Sequence, residues 1–193
     1  MTDSSATFPG AIASYDSRSK LRRAWSKYPN AWKRVEVPAR HILLREGEIA
    51  RKAFLIEKGC ARVWFMHDGK EISFQFFFEA DVVCSVESYT KSIPSPYSIE
   101  TIEPSTVRWI RKHDMDLAIR EDPFLRDYLA AWAVESQAAF IRHFFSFLKD
   151  NPYERYSSLV QEHPKIIQRV PLQYIASYLG ISPVSLSRIR GRK

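Results

Sequence analysis

The hydrophobic period of this chain changes once, near Arg111, and that change constrains the fold more than any single motif. Before it, short β-prone runs recur: Val35-Glu36-Val37, Ile42-Leu43-Leu44, Ala53-Phe54-Leu55-Ile56, Ala61-Arg62-Val63-Trp64-Phe65 and Ile72-Ser73-Phe74-Gln75-Phe76. Arg45-Glu46-Gly47-Glu48, Lys58-Gly59 and His67-Asp68-Gly69-Lys70 punctuate them, so the segment reads as an all-β module. Asp68-Gly69 predicts a tight hairpin, because Gly accepts positive φ and Asp bonds to nearby backbone. The strands resume at Tyr97–Ile102 and Thr106–Ile110 after a less regular excursion over Glu79–Tyr97, and long excursions of this kind often form sites. Upstream, Leu21, Ala24, Trp25 and Tyr28 predict a short amphipathic helix over Asp16–Tyr28, stopped by Pro29-Asn30 and covering an end of the β module.

Beyond Arg111 apolar residues fall three and four apart. Lys112–Ile119 reads as a short helix, and a longer one carries Phe124, Leu125, Tyr128, Leu129, Trp132, Ser136, Phe140, Ile141, Phe144, Phe145 and Leu148 on one stripe. Arg126, Asp127, Glu135, Gln137, Arg142 and Lys149 face water, and Pro152 ends the helix. The stripe is wider than one small β domain needs to cover, which predicts a homodimer seam over residues 124–148; the competing reading buries the helix on its own sheet. Tyr153–Glu162 forms a further helix, followed by a short run through Ile166-Ile167 to Val170.

Composition admits a packed domain and bounds its setting. Of 193 residues 45% are hydrophobic and 26 are Phe, Tyr or Trp, too much aromatic area for a solvated tail. No run approaches the ~18 uncharged apolar residues of a membrane span and the start lacks an export signal, so a cytoplasmic protein without membrane contact is expected. Cys60 and Cys84 are expected as buried thiols. The net charge of +7 is unevenly spread: residues 1–40 carry 8 basic and 3 acidic groups, 41–150 carry 14 and 17, and 151–193 carry 7 and 2. Arg188, Arg190, Arg192 and Lys193 concentrate the last excess at one tip, where a polyanion would meet it.

The residues before that tip supply geometry. Leu172–Leu179 provides a short helix with Ile175, Ala176 and Leu179 inward, and Gly180 permits an immediate turn. Ser182 caps a second helix, Pro183 suits its first turn, and Leu186 and Ile189 point back into a small core. This leaves Pro183, Val184, Ser187, Arg188 and Arg190 outward. Val184 and Arg188, four apart, offer a thymine-methyl contact and a guanine or phosphate contact from one groove-facing surface. Arg188 is the expected base reader; Arg190, Arg192 and Lys193 are expected on the backbone, with Arg169 and Gln173 anchoring the entrance. The expected partner is double-stranded DNA.

These features together resemble the regulators related to the bacterial cyclic-AMP receptor protein, the Crp/Fnr superfamily. The likeness rests on Gly47-Glu48, Phe54-Leu55-Ile56-Glu57-Lys58-Gly59 and Asp68-Gly69-Lys70-Glu71, then on Ile175-Ala176-Ser177-Tyr178-Leu179-Gly180-Ile181-Ser182 and Leu186-Ser187-Arg188-Ile189. The resemblance implies a mixed α and β fold in three parts: a double-stranded β-helix (jelly roll) effector domain with flanking helices over 1–122, a dimerisation helix over 123–150, and a helix-turn-helix domain over 151–193. It implies transcriptional regulation, with the transcription machinery as a further partner.

The departures lie in the effector pocket. Family members that bind cyclic nucleotides use a Gly-Glu cassette for the sugar hydroxyl and an Arg for the cyclic phosphate. Here the corresponding stretch, Glu79 through Ser98, lacks the Gly-Glu pair and carries Pro96-Tyr97 where the Arg is expected; Glu87 is the one evident cassette carboxylate. Glu87, Tyr89, Tyr97, Trp64 and Arg62 are the pocket candidates, Lys70 and Arg108 being further compensating cations. No cofactor is established by these residues; the effector is an unknown small molecule, other than cyclic AMP, or absent. Only four residues follow Ile189, leaving no room for the β-wing common in the family. Two other classes compete: a cupin-like metal-dependent enzyme, for which His41, His67, His113, His143 and His163 are too dispersed, and a protein-interaction module without DNA readout. The chain is expected not to be an enzyme.

Overall fold

The computed structural model describes residues 25–28 and 30–191. Of the helix expected over Asp16–Tyr28, only 25–28 are described, with Trp25 and Ser26 helical; the remainder, and Arg192 and Lys193, lie outside the described residues.

Among the described residues eight strands form two four-stranded antiparallel sheets. The first pairs β1 (Trp32–Val37), β8 (Ser105–Arg111), β3 (Lys52–Lys58) and β6 (Val82–Val83) in that order; the second pairs β2 (Ile42–Leu44), β7 (Ser98–Thr101), β4 (Ala61–His67) and β5 (Lys70–Phe77). Alternation puts Phe54 and Ile56 of β3 on one face with Val107 of β8, and Ala53 with its partner Ile110 on the other; all five are buried with Ala61, Val63, Ile99 and Phe77 of the second sheet in the main core. Chain passage from β3 to β4 changes sheets at Gly59, whose φ of 110° and 2.9 Å gap from an ideal Cβ to the Ser105 Cα both exclude a larger residue. The β4–β5 hairpin closes on His67 opposite Lys70, with Asp68 and Gly69 both at positive φ (49° and 71°), the two-residue turn whose twist suits paired strands.

The expected irregular excursion contains a helix, α1 (Val86–Lys91). Helix α2 (Lys112–Glu121) leads into α3 (Pro123–Lys149), a 27-residue helix whose start is fixed by Asp122: its carboxylate accepts from the Phe124 and Leu125 amides and from Lys27 Nζ at 2.6 Å. α4 (Pro152–Glu162) opens with a reciprocal Asn151–Glu154 capping box, and α5 (Pro164–Arg169), α6 (Leu172–Tyr178) and α7 (Pro183–Gly191) follow. The architecture is mixed α and β, with antiparallel sheets first and helices after, as the change of period predicts.

A second core joins the two regions. Cys60, Phe76 and Ile102, on the outer side of the second sheet, pack with Leu159, Ile166, Val170, Tyr174, Ile175, Leu179 and Leu186. The Ser177 hydroxyl ties α6 to β5, accepting from the Ser73 amide at 2.9 Å and donating to the Glu71 carbonyl at 2.9 Å. α3 divides along its length: Leu125 is fully buried and Leu129 packs on the main core, whereas Val134, Phe140, Ile141, Phe144, Phe145 and Leu148 are exposed. Cys60 and Cys84 are free thiols, Cys60 buried and Cys84 half-buried, and burial pushes Cys84 up to about 12.

Candidate functional site

The open surface on α7 begins with the turn that sets it. Ile175, Ala176 and Leu179 are buried beneath α6, and Gly180 turns the chain at a φ of 67°. A Cβ at Gly180 would also lie 2.7 Å from the Phe147 ring of α3, so the residue meets both a backbone and a packing demand. Ile181 N donates back to the Ala176 carbonyl at 3.0 Å, and the Ser182 hydroxyl accepts from the Ser185 amide at 3.1 Å, which starts α7. Leu186 is buried, and Pro183, Val184, Ser187, Arg188 and Arg190 are all exposed on the outer side. Val184 and Arg188 lie one helical turn apart, so an apolar and a cationic contact share one surface. Gln173 is exposed at the start of α6.

Arg169, expected as a DNA anchor, is engaged elsewhere. Its guanidinium makes two hydrogen bonds to the Glu79 carboxylate (2.9 and 2.7 Å), a third to Glu103, and lies 5.2 Å from the Phe78 ring centre. The hydrogen bonds from Arg169 hold the Glu79 carboxyl down at about 2. The residue therefore fastens α5 to the β region. A second unforeseen fastener is Arg155 of α4, which donates to the Leu179 carbonyl at 2.9 Å and the Asp150 carbonyl at 2.6 Å and lies over the Phe147 ring at 4.8 Å. It joins the end of α3 to the end of α6.

The effector candidates are not brought together. Arg62 sits on the outer side of the second sheet, 1% exposed. It donates to Glu100 at 2.7 Å, to Ser73 at 3.0 Å and to Glu71, and the Tyr174 ring of α6 covers it at 3.7 Å. Trp64 lies beside it, its ring centre 5.0 Å from the guanidinium. Glu87 faces solvent on α1 and pairs with Lys91 at 2.8 Å, so it supplies no inward carboxylate. Tyr89 and Tyr97 do pack on the main core, Tyr97 edge-on to Phe74 at 5.2 Å; burial raises both phenols, and the Tyr89 hydroxyl has no partner among the described residues.

The excursion satisfies itself through buried serines. Ser88 accepts from the Ala50 amide at 2.8 Å and donates to the Ile93 carbonyl at 2.5 Å, Ser95 donates to Ser85 at 3.0 Å, and Gly47 and Glu48 exchange backbone bonds with Ser95 at 2.8 Å each. An anion-binding cassette instead leaves amides open to the ligand. Among the described residues no group of three or more His, Cys, Asp or Glu side chains is placed to hold a metal ion, and no helix is long and apolar enough to cross a membrane.

Sequence reasoning missed Glu71, Glu79, Glu100, Glu103, Arg155 and Tyr174. The one available signal was an arginine or glutamate inside an otherwise apolar strand, as in Ala61-Arg62-Val63 and Ile99-Glu100-Thr101. Alternation assigns such residues to solvent, and Tyr174, whose ring covers Arg62, lies more than a hundred positions away.

Residues 34–122 match the family model described as the cyclic nucleotide-binding domain. FixK2 from Bradyrhizobium japonicum superposes with a TM-score of 0.73 at 16% identity, covering 83% of each chain. The c-di-GMP responsive global regulator CLP of Xanthomonas campestris gives 0.68 at 14% identity over 87% of this chain and 89% of that one. A Crp/Fnr-family putative transcriptional regulator from Eubacterium rectale gives 0.67 at 16% identity, covering 89% and 81%. No curated protein sequence matches the chain significantly.

Proposed function

We propose that this chain, whose residues 34–122 match the cyclic nucleotide-binding domain and whose fold is that of the Crp/Fnr regulators, is a homodimeric, sequence-specific DNA-binding transcriptional regulator. On this reading the two sheets are the jelly-roll effector domain and α6–turn–α7 is a helix-turn-helix. One observation carries it: Gly180 and Ser182 set α7 so that Pro183, Val184, Ser187, Arg188 and Arg190 share an open face while Leu186 is buried. A helix with its side chains is ~10–12 Å across, which a major groove ~12 Å wide admits, and the nine residues of α7 span about two and a half turns. The effector is not cyclic AMP: Glu87 and Arg62 are turned away from the core, and serines occupy the bonding positions of the excursion. A regulator that reads DNA through paired half-sites acts with transcription machinery and is not an enzyme.

Selection of bound duplexes from a random library, followed by salt titration on a selected and a scrambled duplex, tests this. The expected product is a two-fold repeat with half-sites about one DNA turn (~34 Å) apart, bound at least tenfold more tightly than the scramble. Arg188→Ala is expected to lose discrimination at one base position, whereas uniform weakening on both duplexes would assign Arg188 to phosphate. No preference at any salt concentration would overturn the reading.

A further inference from the structure

A cavity of about 150 Å³ lies where the second sheet, α3 and the C-terminal helices meet. Its walls include Ala139, His143 and Ser146 on one face of α3, Ser158 of α4, Tyr178 of α6 and Gln75 of β5. Those α3 positions are three and four apart and half-buried, on a different side of the helix from the exposed Ile141, Phe144 and Leu148.

Two properties define what this space accommodates. The first is planarity. His143 stacks on Tyr178 with ring centres 4.2 Å apart and planes at 10°, and Phe74 and Phe140 also line the space. The volume is of the order that takes up a benzene-sized ring. The second is neutrality. Arg142 and Arg155 line the cavity with Asp150 and Glu162, so the formal charges cancel, and Arg155 is already bonded to two carbonyls. Burial, with Arg155 nearby, lowers His143 to about 4, and burial beside His143 does the same for His163. Both imidazoles are therefore neutral at pH 7, each with one N–H donor and one ring-nitrogen acceptor. The His143 ring makes aromatic contacts to Tyr178 and Phe147 but no hydrogen bond among the described residues, which leaves that capacity open. An ionised ligand would add an unpaired charge to a balanced, partly desolvated space, at a cost that an uncharged one avoids.

We propose that this cavity is a binding site for a small, uncharged, planar heteroaromatic molecule of one or two fused rings that carries both a hydrogen-bond donor and an acceptor. Such a ligand extends the His143–Tyr178 stack and bonds to the His143 imidazole, Gln75 or Ser158. Because the walls come from β5, α3, α4 and α6, occupancy biases how the β region holds the C-terminal helices. That regulatory consequence rests on the DNA-binding reading above; the binding itself does not.

Calorimetric titration of the full chain with indazole, an uncharged two-ring molecule with one N–H and one ring-nitrogen acceptor, tests the site. Benzoate serves as an anion of similar size and indene as the apolar match. Saturable binding of one indazole per chain with a Kd below about 1 mM is expected, with benzoate and indene at least tenfold weaker. Ala139→Leu and Ser158→Leu, which fill the space from two different helices, are each expected to weaken indazole at least tenfold while keeping the wild-type circular dichroism. If either variant unfolds the other decides, and chemical-shift changes of the His143 and His163 ring protons in the wild type locate the site without any variant. No saturable indazole binding, benzoate binding as tightly as indazole, or ring protons that do not respond would overturn the proposal. Affinity for a selected duplex is then measured with and without indazole. A chain that binds indazole but no DNA keeps the site and loses the regulatory role.

Discussion

Arg62 illustrates how one buried charge is tolerated. Its guanidinium has Glu100, Glu71 and Ser73 as hydrogen-bond partners and the Tyr174 ring on its face, so its desolvation is offset on every side. Glu100 is itself only 5% exposed, and removing the arginine would leave that carboxylate buried without its cation. Arg62→Met is therefore expected to destabilise the chain by about 3–5 kcal/mol in guanidinium chloride unfolding, and Arg62→Met combined with Glu100→Met to recover most of that loss. A double variant as unstable as the sum of its single changes would show that the two side chains act independently. The same residue shows why a strand position is ambiguous from sequence alone: alternation places Arg62 opposite Val63, and only the Tyr174 ring of α6 turns that outer position into an interior one.

Among the elements, the contact of α3 with α4 carries a built-in pH dependence. His143 and His163 are lowered from 6.5 to about 4 by burial, with Arg155 opposing a charge on His143 and His143 opposing one on His163. The unfolded chain binds protons at higher pH than the folded one. The stability that these neutral imidazoles contribute is thus full above pH 6.5 and is lost as pH falls from 6.5 toward 4, at up to about 1.4 kcal/mol per pH unit for each ring. Urea midpoints measured from about pH 7 to about pH 5 are expected to fall, and His143→Gln to flatten that slope; an unchanged slope in the variant would assign the dependence elsewhere. Glu79 acts in a lower window. Its carboxyl is depressed from 4.5 to about 2, chiefly by the Arg169 hydrogen bonds, so its contribution is present above 4.5 and fades only below that. The long helix itself was legible because apolar residues from Phe124 to Leu148 recur three and four apart and Pro152 follows as a stop. α1 was not, because its six residues are held by Ser88 bonding to Ala50, a contact 38 positions away.

For the whole molecule, the open question is what covers the second half of α3, and our reading is a second copy. Val134, Ile141 and Leu148 recur every seven residues with Phe144 between them, all exposed, the spacing that the proposed two-stranded helical interface requires. Burying a large apolar side chain contributes ~2 kcal/mol, so the pair Phe144→Glu and Leu148→Glu is expected to weaken self-association more than a hundredfold in sedimentation velocity while leaving the fold intact. A wild-type chain that sediments as a monomer at high concentration would remove the dimer from the proposal. The order of strands before helices, the Asp68-Gly69 hairpin, the long helix and the Gly180 turn with its capped α7 were determined by the sequence itself. Each depends on backbone preference and side-chain period within a few residues of the position concerned. Which face of the second sheet is covered, the engagement of Arg169 with Glu79 and Glu103 rather than with an open surface, the closure of the excursion by serines and the joining of His143, Ser158 and Tyr178 around one cavity were decided only by the tertiary structure. Those contacts link residues from ten to more than a hundred positions apart, and no local period records which side chains the packing of distant elements will bring together.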